Sequence, residues 1–233
     1  LRLSPFLKSP ARKLTADQKQ LISLGRGLVR EDVAGVLMDE PLTVIDPDLK
    51  FRLRRNLKEI NEQYKTTLVY VTHDQNEAMT FADNIIVMDQ GEIVQVGLPK
   101  DLFEKPRTTF VGYFIGSPAM NLFNSEILSD NSIKFNNDTI KTKTDLSKIK
   151  DKNVKLGIRS EFIKIATDQK ENIVSVKVTR VEDFGNFKLI TGKAGDLEIK
   201  SKVEREIPIS TEELKLHLPA EKCCIYSNEM LVN

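Results

Sequence analysis

A chain of 233 residues is long enough for one large core or two small ones. Its 35 basic and 34 acidic side chains leave a formal net charge of +1, which excludes a chain-wide grip on polyanions and a charged nucleic-acid tail. No run of about 18 apolar residues occurs to span a bilayer, and the adjacent Cys223 and Cys224 suit neither a structural disulfide nor a Cys-x-x-Cys metal site, a usage that fits a reducing compartment.

The N-terminus, Leu1-Arg2-Leu3-Ser4-Pro5, has neither an initiating methionine nor a signal-peptide pattern and reads as a cut end. Residues 15–30 read as a helix: Thr15 is placed to cap it, Gln18 holds the capping-box position, and Leu21, Leu24 and Leu28 line one face. A short apolar strand over Gly35 to Met38 runs into Asp39-Glu40-Pro41, where the proline stops ladder pairing. A helix from about Pro47 to Tyr64, a strand from Thr67 to Val71 and a short helix from about Gln75 to Ala82 follow, and this alternation predicts a parallel α/β sheet.

Asn84 to Met88 and Glu92 to Val96 read as a hairpin turned by Asp89-Gln90-Gly91, with Gly91 supplying a positive φ. A helix near Arg107 to Ile115 ends in Gly116-Ser117-Pro118. From about residue 122 the pattern changes to short alternating runs, such as Ser132 to Phe135, Val174 to Val181 and Leu214 to Leu218, bounded by Asn, Asp and Gly. These predict a second, all-β domain of small barrel type. Within it Phe184-Gly185-Asn186 reads as a turn, Arg159 and Glu161 as a structural ion pair on a strand, and His217 as solvent-exposed.

Chemistry concentrates at the strand ends of the first domain. In phosphoryl transfer a protein must supply a carboxylate for the metal and a group that orients or deprotonates the attacking water. Asp39 is the candidate for Mg²⁺ and Glu40 for the water, with strand alternation expected to turn the two to opposite faces of a sheet's carboxyl edge. Thirty-three residues later His73 follows the next strand, in Val71-Thr72-His73-Asp74-Gln75, and so arrives at the same edge. An imidazole there can hydrogen-bond a terminal phosphate and report its loss. Between the two lies Asp46, which is placed to cap the next helix and also to take part in the site.

The order Leu14-Thr15-Ala16-Asp17-Gln18, Leu37-Met38-Asp39-Glu40-Pro41, Val44-Ile45-Asp46 and Val71-Thr72-His73-Asp74-Gln75 resembles the signature, Walker B, D-loop and H-loop of an ABC ATPase. Phe110 to Pro118 with Met120-Asn121, and Leu156-Gly157-Ile158-Arg159-Ser160-Glu161, resemble the junction and the OB-like (TOBE-type) regulatory domain of carbohydrate and polyol importers. The resemblance implies the later part of a P-loop NTPase domain over 1–117 and an OB-like domain over 118–233. It implies ATP and Mg²⁺ as cofactors, with Thr15 and Gln18 of the signature and Asp46 of the D-loop among the nucleotide-binding residues, Glu40 and His73 catalytic, and Asp39 on the metal. It also implies a peripheral position on the cytoplasmic face of the membrane, a second ATPase subunit, two permease subunits and, indirectly, a periplasmic solute-binding protein, with no nucleic acid.

The departures from the family pattern carry information too. Where the family has Leu-Ser-Gly-Gly-Gln, Ala16 and Asp17 replace the glycines, and Asp17 sets a carboxylate at the helix start that would otherwise hold phosphate. The runs Leu14 to Gln20 and Asp39 to Pro47 resemble one nucleotide-binding subunit of bacterial glycerol importers, which pair two different ATPase chains. By that resemblance a heterodimer with one competent and one degenerate site is expected, and glycerol is the leading solute. Other sugars, polyols or glycerol phosphate, and a soluble ABC ATPase outside transport, are the alternatives. Gly-x-x-x-x-Gly-Lys-[Ser/Thr] occurs nowhere and the Q-loop region is missing, so these residues alone are expected to hydrolyse ATP poorly.

Overall fold

The computed structural model describes residues 3–30, 33–209 and 212–232. It divides into two compact units, Leu1–Ala82 and Asp83–Asn233. The first has α/β character. Helix α1 (Ala16–Leu28) is headed by Thr15, whose N–H donates to the Gln18 side chain at 3.2 Å. Strand β1 (Gly35–Asp39) pairs in parallel with β2 (Thr67–Val71), Gly35 opposite Thr67 and Asp39 opposite Val71. Helix α2 (Pro47–Tyr64) connects them and α3 (Gln75–Phe81) follows β2.

Strand alternation decides which face of this sheet is buried. Val36, Met38, Leu68 and Tyr70 pack with Leu21 and Leu24 of α1, Leu53 and Leu57 of α2, and Leu42 and Ile45 of the connection. On the opposite face Leu37, Val69 and Val71 are exposed, Leu37 at 81%.

The second unit begins with the hairpin β3 (Ile85–Asp89) and β4 (Glu92–Gly97). Gln90 joins Gly91 at positive φ, 49° and 84°, which is the two-residue turn whose twist suits a hairpin. Helices α4 (Pro99–Glu104) and α5 (Thr109–Phe114) follow; the single helix expected near 107–115 is shorter and has a companion that starts at Pro99.

Two antiparallel sheets then share one core. One has the order β15-β14-β8-β5-β6-β7 and the other β12-β11-β10-β13-β9. In the first, β5 is Asn121–Ser129, β6 Ser132–Phe135, β7 Asp138–Lys141, β8 Asn153–Ile158, β14 Cys224–Ser227 and β15 Met230–Leu231. In the second, β9 is Lys164–Ile165, β10 Ile173–Asp183, β11 Phe187–Ala194, β12 Leu197–Glu204 and β13 Glu213–His217. Phe123, Phe135 and Leu156 from the first sheet meet Val174, Val176, Ile199 and Leu216 from the second. Strand β10 serves two partners, β13 over 173–177 and β11 over 177–183, and an irregularity between Val178 and Arg180 lets it turn from one to the other.

Arg159 is not ion-paired with Glu161. It is fully buried, and its guanidinium donates to the carbonyls of Phe103, Gly112 and Ile115 and lies 4.6 Å from the Phe103 ring centroid. Glu161 instead accepts from the Ser160 hydroxyl and faces Lys202. Arg159 turns inward because the last carbonyls of α4 and α5 lack intrahelical donors and favour a cation. These bonds, with Tyr226 Oη donating to the Pro106 carbonyl at 3.0 Å, fasten both helices to the β-strands. The division after Ala82 accordingly lies upstream of the boundary expected after residue 117. His217 is also less open than expected: it is half-buried, and its Nδ1 is shielded from water without a hydrogen-bond partner.

Candidate functional site

Parallel pairing in register brings the C-terminal ends of β1 and β2 side by side, so the residues after Asp39 and Val71 leave the sheet at one edge. Glu40 is the first residue past β1. Its N–H still donates to the Val71 carbonyl at 3.0 Å, but its φ is 47°, in the left-handed region. A non-glycine residue there costs about 1–2 kcal/mol and persists only where its surroundings hold it. The expectation that simple alternation separates Asp39 from Glu40 is therefore replaced by a turn, and this turn aims the Glu40 carboxylate across the edge.

What it meets is His73. Glu40 Oε1 accepts the His73 backbone N–H at 2.9 Å and lies 2.5 Å from Nδ1 of the ring, while Oε2 accepts the Thr43 hydroxyl at 2.8 Å. The Glu40 carbonyl takes Gln20 Nε2 of α1 at 2.9 Å and the Thr43 hydroxyl at 3.2 Å. Partial burial by itself would raise the carboxyl's pKa. The His73 ring, the Thr43 hydroxyl and the His73 N–H outweigh it and hold the group below the ordinary carboxylate range. The His73 side chain is 77% exposed against 35% for Glu40, so the ring can be reached by an incoming anion while its partner is sheltered behind it.

Asp39 ends β1 beside this pair with an exposed side chain. Among the described residues no three His, Cys, Asp or Glu side chains converge as a metal cluster. A magnesium ion would fit here through the one carboxylate of Asp39 together with phosphate oxygens and water, the usual mode for Mg²⁺ on a nucleotide. Asp46 caps α2, its Oδ1 accepting the Leu49 N–H at 3.0 Å. Thr15 and Gln18 bond within the head of α1, and the Thr15 hydroxyl donates to the Asp17 carboxylate. That bond, against slight desolvation and with help from the N–H groups of Gln18 and Asp17, lowers the pKa of Asp17. The chain's own carboxylate thus occupies the anion-favouring start of α1.

The structure therefore brings Glu40 and His73 into contact, sets Asp39 at the same edge, and leaves Thr15, Gln18 and Asp46 as caps of their helices. Sequence reading missed Gln20 and Thr43, which hold the Glu40 turn. Both lie inside motif runs, but a Gln on a helix and a Thr in a turn carry no periodicity signal that would mark them. It also missed the buried carboxylate of Glu77 on α3.

Comparison with known proteins finds relatives of this chain. The MalK OB fold domain family matches residues 116–163. The chain is similar to the sn-glycerol-3-phosphate import ATP-binding protein UgpC of Pectobacterium atrosepticum, at 36% identity over 98% of this chain and 64% of that protein. The corresponding proteins of Yersinia enterocolitica and Salmonella choleraesuis are 35% and 36% identical, again over 98% of this chain and over 65% of their own length. The chain thus spans just under two thirds of the length of these relatives. The chain is thus similar to import ATP-binding proteins over almost its whole length, and part of its second unit matches the MalK OB fold domain family.

Proposed function

We propose that the chain supplies the hydrolytic edge of an ATP-driven importer subunit, with Asp39 on the Mg²⁺ of bound ATP, Glu40 directing the attacking water and His73 contacting the terminal phosphate. The observation that carries this reading is the Glu40–His73 contact at 2.5 Å on the carboxyl edge of two parallel strands. Glu40 is ionised at neutral pH, as a base must be, and its three donors fix its direction. His73 lies outward, where a phosphate could take over its free ring nitrogen. The bound ATP supplies the reactive phosphoanhydride, and its β- and γ-phosphates need a cradle of backbone amides and a lysine that these 233 residues do not include.

The partner of such a subunit is a second, different ATPase chain, together with two permease subunits and a solute-binding protein at the membrane. Asp17 supports the heterodimer: with its carboxylate at the head of α1, this signature is a poor clamp for a partner's phosphate. No helix among the described residues is long and apolar enough to cross a membrane, so attachment would run through the permeases. For the solute we propose a three-carbon polyol. The motif runs point to glycerol, and the names of the relatives favour its phosphate ester.

The test is uptake of labelled glycerol and of labelled sn-glycerol-3-phosphate in cells with and without the gene, combined with ATP turnover by the purified assembly. Loss of one uptake on deletion, restored by the wild-type gene but not by Glu40→Gln, is the expected result. Unaltered uptake of both solutes would refute the transport assignment. Turnover by an assembly carrying Glu40→Gln equal to wild type would refute the role of the edge.

A further inference from the structure

Glu77 keeps only 3% of its surface exposed, yet it is a carboxylate that the proposed chemistry does not use. Donors from three places converge on it. Tyr70 Oη of β2 reaches Oε2 at 2.8 Å, the Thr72 hydroxyl just past β2 reaches the same oxygen at 3.2 Å, and Lys50 Nζ in the first turns of α2 lies 3.5 Å from Oε1. Burial, and then the bond to Glu77, raise the pKa of the Tyr70 phenol, so it remains the donor throughout the physiological range.

These bonds continue to both neighbours of His73. The Thr72 hydroxyl that donates to Glu77 also accepts the Asp74 N–H at 3.0 Å. Asp74 in turn caps α3, its carboxylate taking the N–H groups of Asn76 at 2.9 Å and of Glu77 at 3.2 Å. In the other direction the Lys50 N–H bonds to the Asp46 carbonyl at 2.8 Å, in the same turn that Asp46 caps through Leu49. One buried carboxylate therefore joins the turn that presents His73 to the turn that presents Asp46.

A buried ion pair seldom adds net stability over apolar side chains of similar volume, so stability alone does not account for a charge in this position. Fixing a turn in one geometry does. We infer that Glu77 is a positioning residue for His73: it holds the Thr72–Asp74 turn so that the imidazole meets the Glu40 carboxylate, and through Lys50 it sets that turn against Asp46. The inference rests on the proposed ATPase reading for its consequence in catalysis, but its geometric content concerns this chain alone.

The first test compares ATP turnover by the full assembly carrying wild type, Glu77→Gln, His73→Ala and the double variant. Glu77→Gln keeps the shape and removes the charge, and is expected to lower kcat about tenfold with KM for ATP unchanged, the scale of one hydrogen bond to a charged group. In the His73→Ala background the same change should cost less than about twofold, because Glu77 acts through the imidazole. An equal loss in both backgrounds overturns the inference, as does a rise in KM at constant kcat. Thr72→Val cuts the link without touching the carboxylate and should reproduce the loss; wild-type kcat in that variant is equally fatal.

A wild-type assembly without turnover would count against the proposed function instead, and a second measurement then decides. Amide exchange in the 233-residue chain should speed up at His73 and Asp74 by about tenfold in Glu77→Gln and in Thr72→Val, with the N–H groups in the middle of α2 unaffected. Exchange that stays at wild-type rates at His73 and Asp74, or that rises equally everywhere, overturns the inference.

Discussion

Replacing Arg159 by leucine should destabilise the second unit by about 3 kcal/mol or more. The guanidinium is fully buried and makes bonds of 2.9 Å to Phe103 O and 2.8 Å to Gly112 O and a third to Ile115 O, with no carboxylate among the described residues near enough for an ion pair. Leucine would strand the carbonyls of Phe103 and Ile115, each at about 1–3 kcal/mol, while that of Gly112 keeps the Met120 N–H at 3.2 Å. Relief from burying a cation, which pushes the arginine's own pKa down, returns part of that loss, and breaking one side of a buried charged contact typically leaves about 3–5 kcal/mol. For a unit of this size that is a fall in Tm of roughly 6–20 °C. Thermal unfolding followed by near-UV circular dichroism measures it, with Arg159→Lys as control: one ammonium cannot span carbonyls on both helices and should recover at most half. Gly116→Ala offers an independent check, since a Cβ there would stand 2.7 Å from Arg159 Nη1 on a backbone at φ 102°. A Tm for Arg159→Leu within about 2 °C of wild type would refute the claim that this cation fastens α4 and α5 to the sheets.

Three further outcomes follow from named groups. Glu40→Gln in the assembled subunit should reduce kcat at least a hundredfold while ATP is still retained on filters, because the change would remove the proposed base and not the phosphate contacts; retained hydrolysis would exclude Glu40 as the base. Asp17 has a pKa below its ordinary 3.8, so its bonds stabilise the chain above that pH and are lost as pH falls through the lowered value. Urea midpoints of wild type and Asp17→Asn, compared from pH 7 down to about pH 2, should therefore differ at neutral pH and converge in acid. Burial raises the Cys223 thiol pKa to about 12 and also raises that of Cys224, so Ellman's reagent at pH 8 should label both slowly in the native chain and within seconds in denaturant.

Periodicity carried much of the fold. Leu21, Leu24 and Leu28 recur at helical spacing, and strand runs that alternate with helices left little besides parallel pairing for β1 and β2. The hairpin of β3 and β4 was legible from Gly91. Gln90 was not, because a left-handed glutamine is tolerated only where the strand twist on both sides demands it. Helix α4 escaped notice since six residues give too few turns to show a period, and Pro99 reads equally well as a loop. Arg159 was read as half of a structural ion pair on a strand because strand patterning says which side a residue takes. It does not say that two helix ends, distant in sequence, have brought their carbonyls there.

The candidate site shows the same division more sharply. That Glu40 and His73 reach one edge follows from topology, since two parallel strands in register end together. That they touch does not: it depends on a positive φ at Glu40, which the residue type disfavours, and on Gln20 and Thr43, which hold it from a helix and a turn. A sequence pattern records the residues that do chemistry more plainly than those that aim them, because aiming can be done by any donor of suitable length. Asp17 is the exception that can be read directly. A carboxylate at a helix start needs no distant partner to act, and in the structure it draws on Thr15 and the first N–H groups of its own helix. The occupied head of α1 is thus a local property that would survive any arrangement of the proposed second ATPase chain. In the proposed heterodimer, hydrolysis at the Glu40 edge would depend on a signature brought by that chain, and the asymmetry of the pair would originate in one side chain.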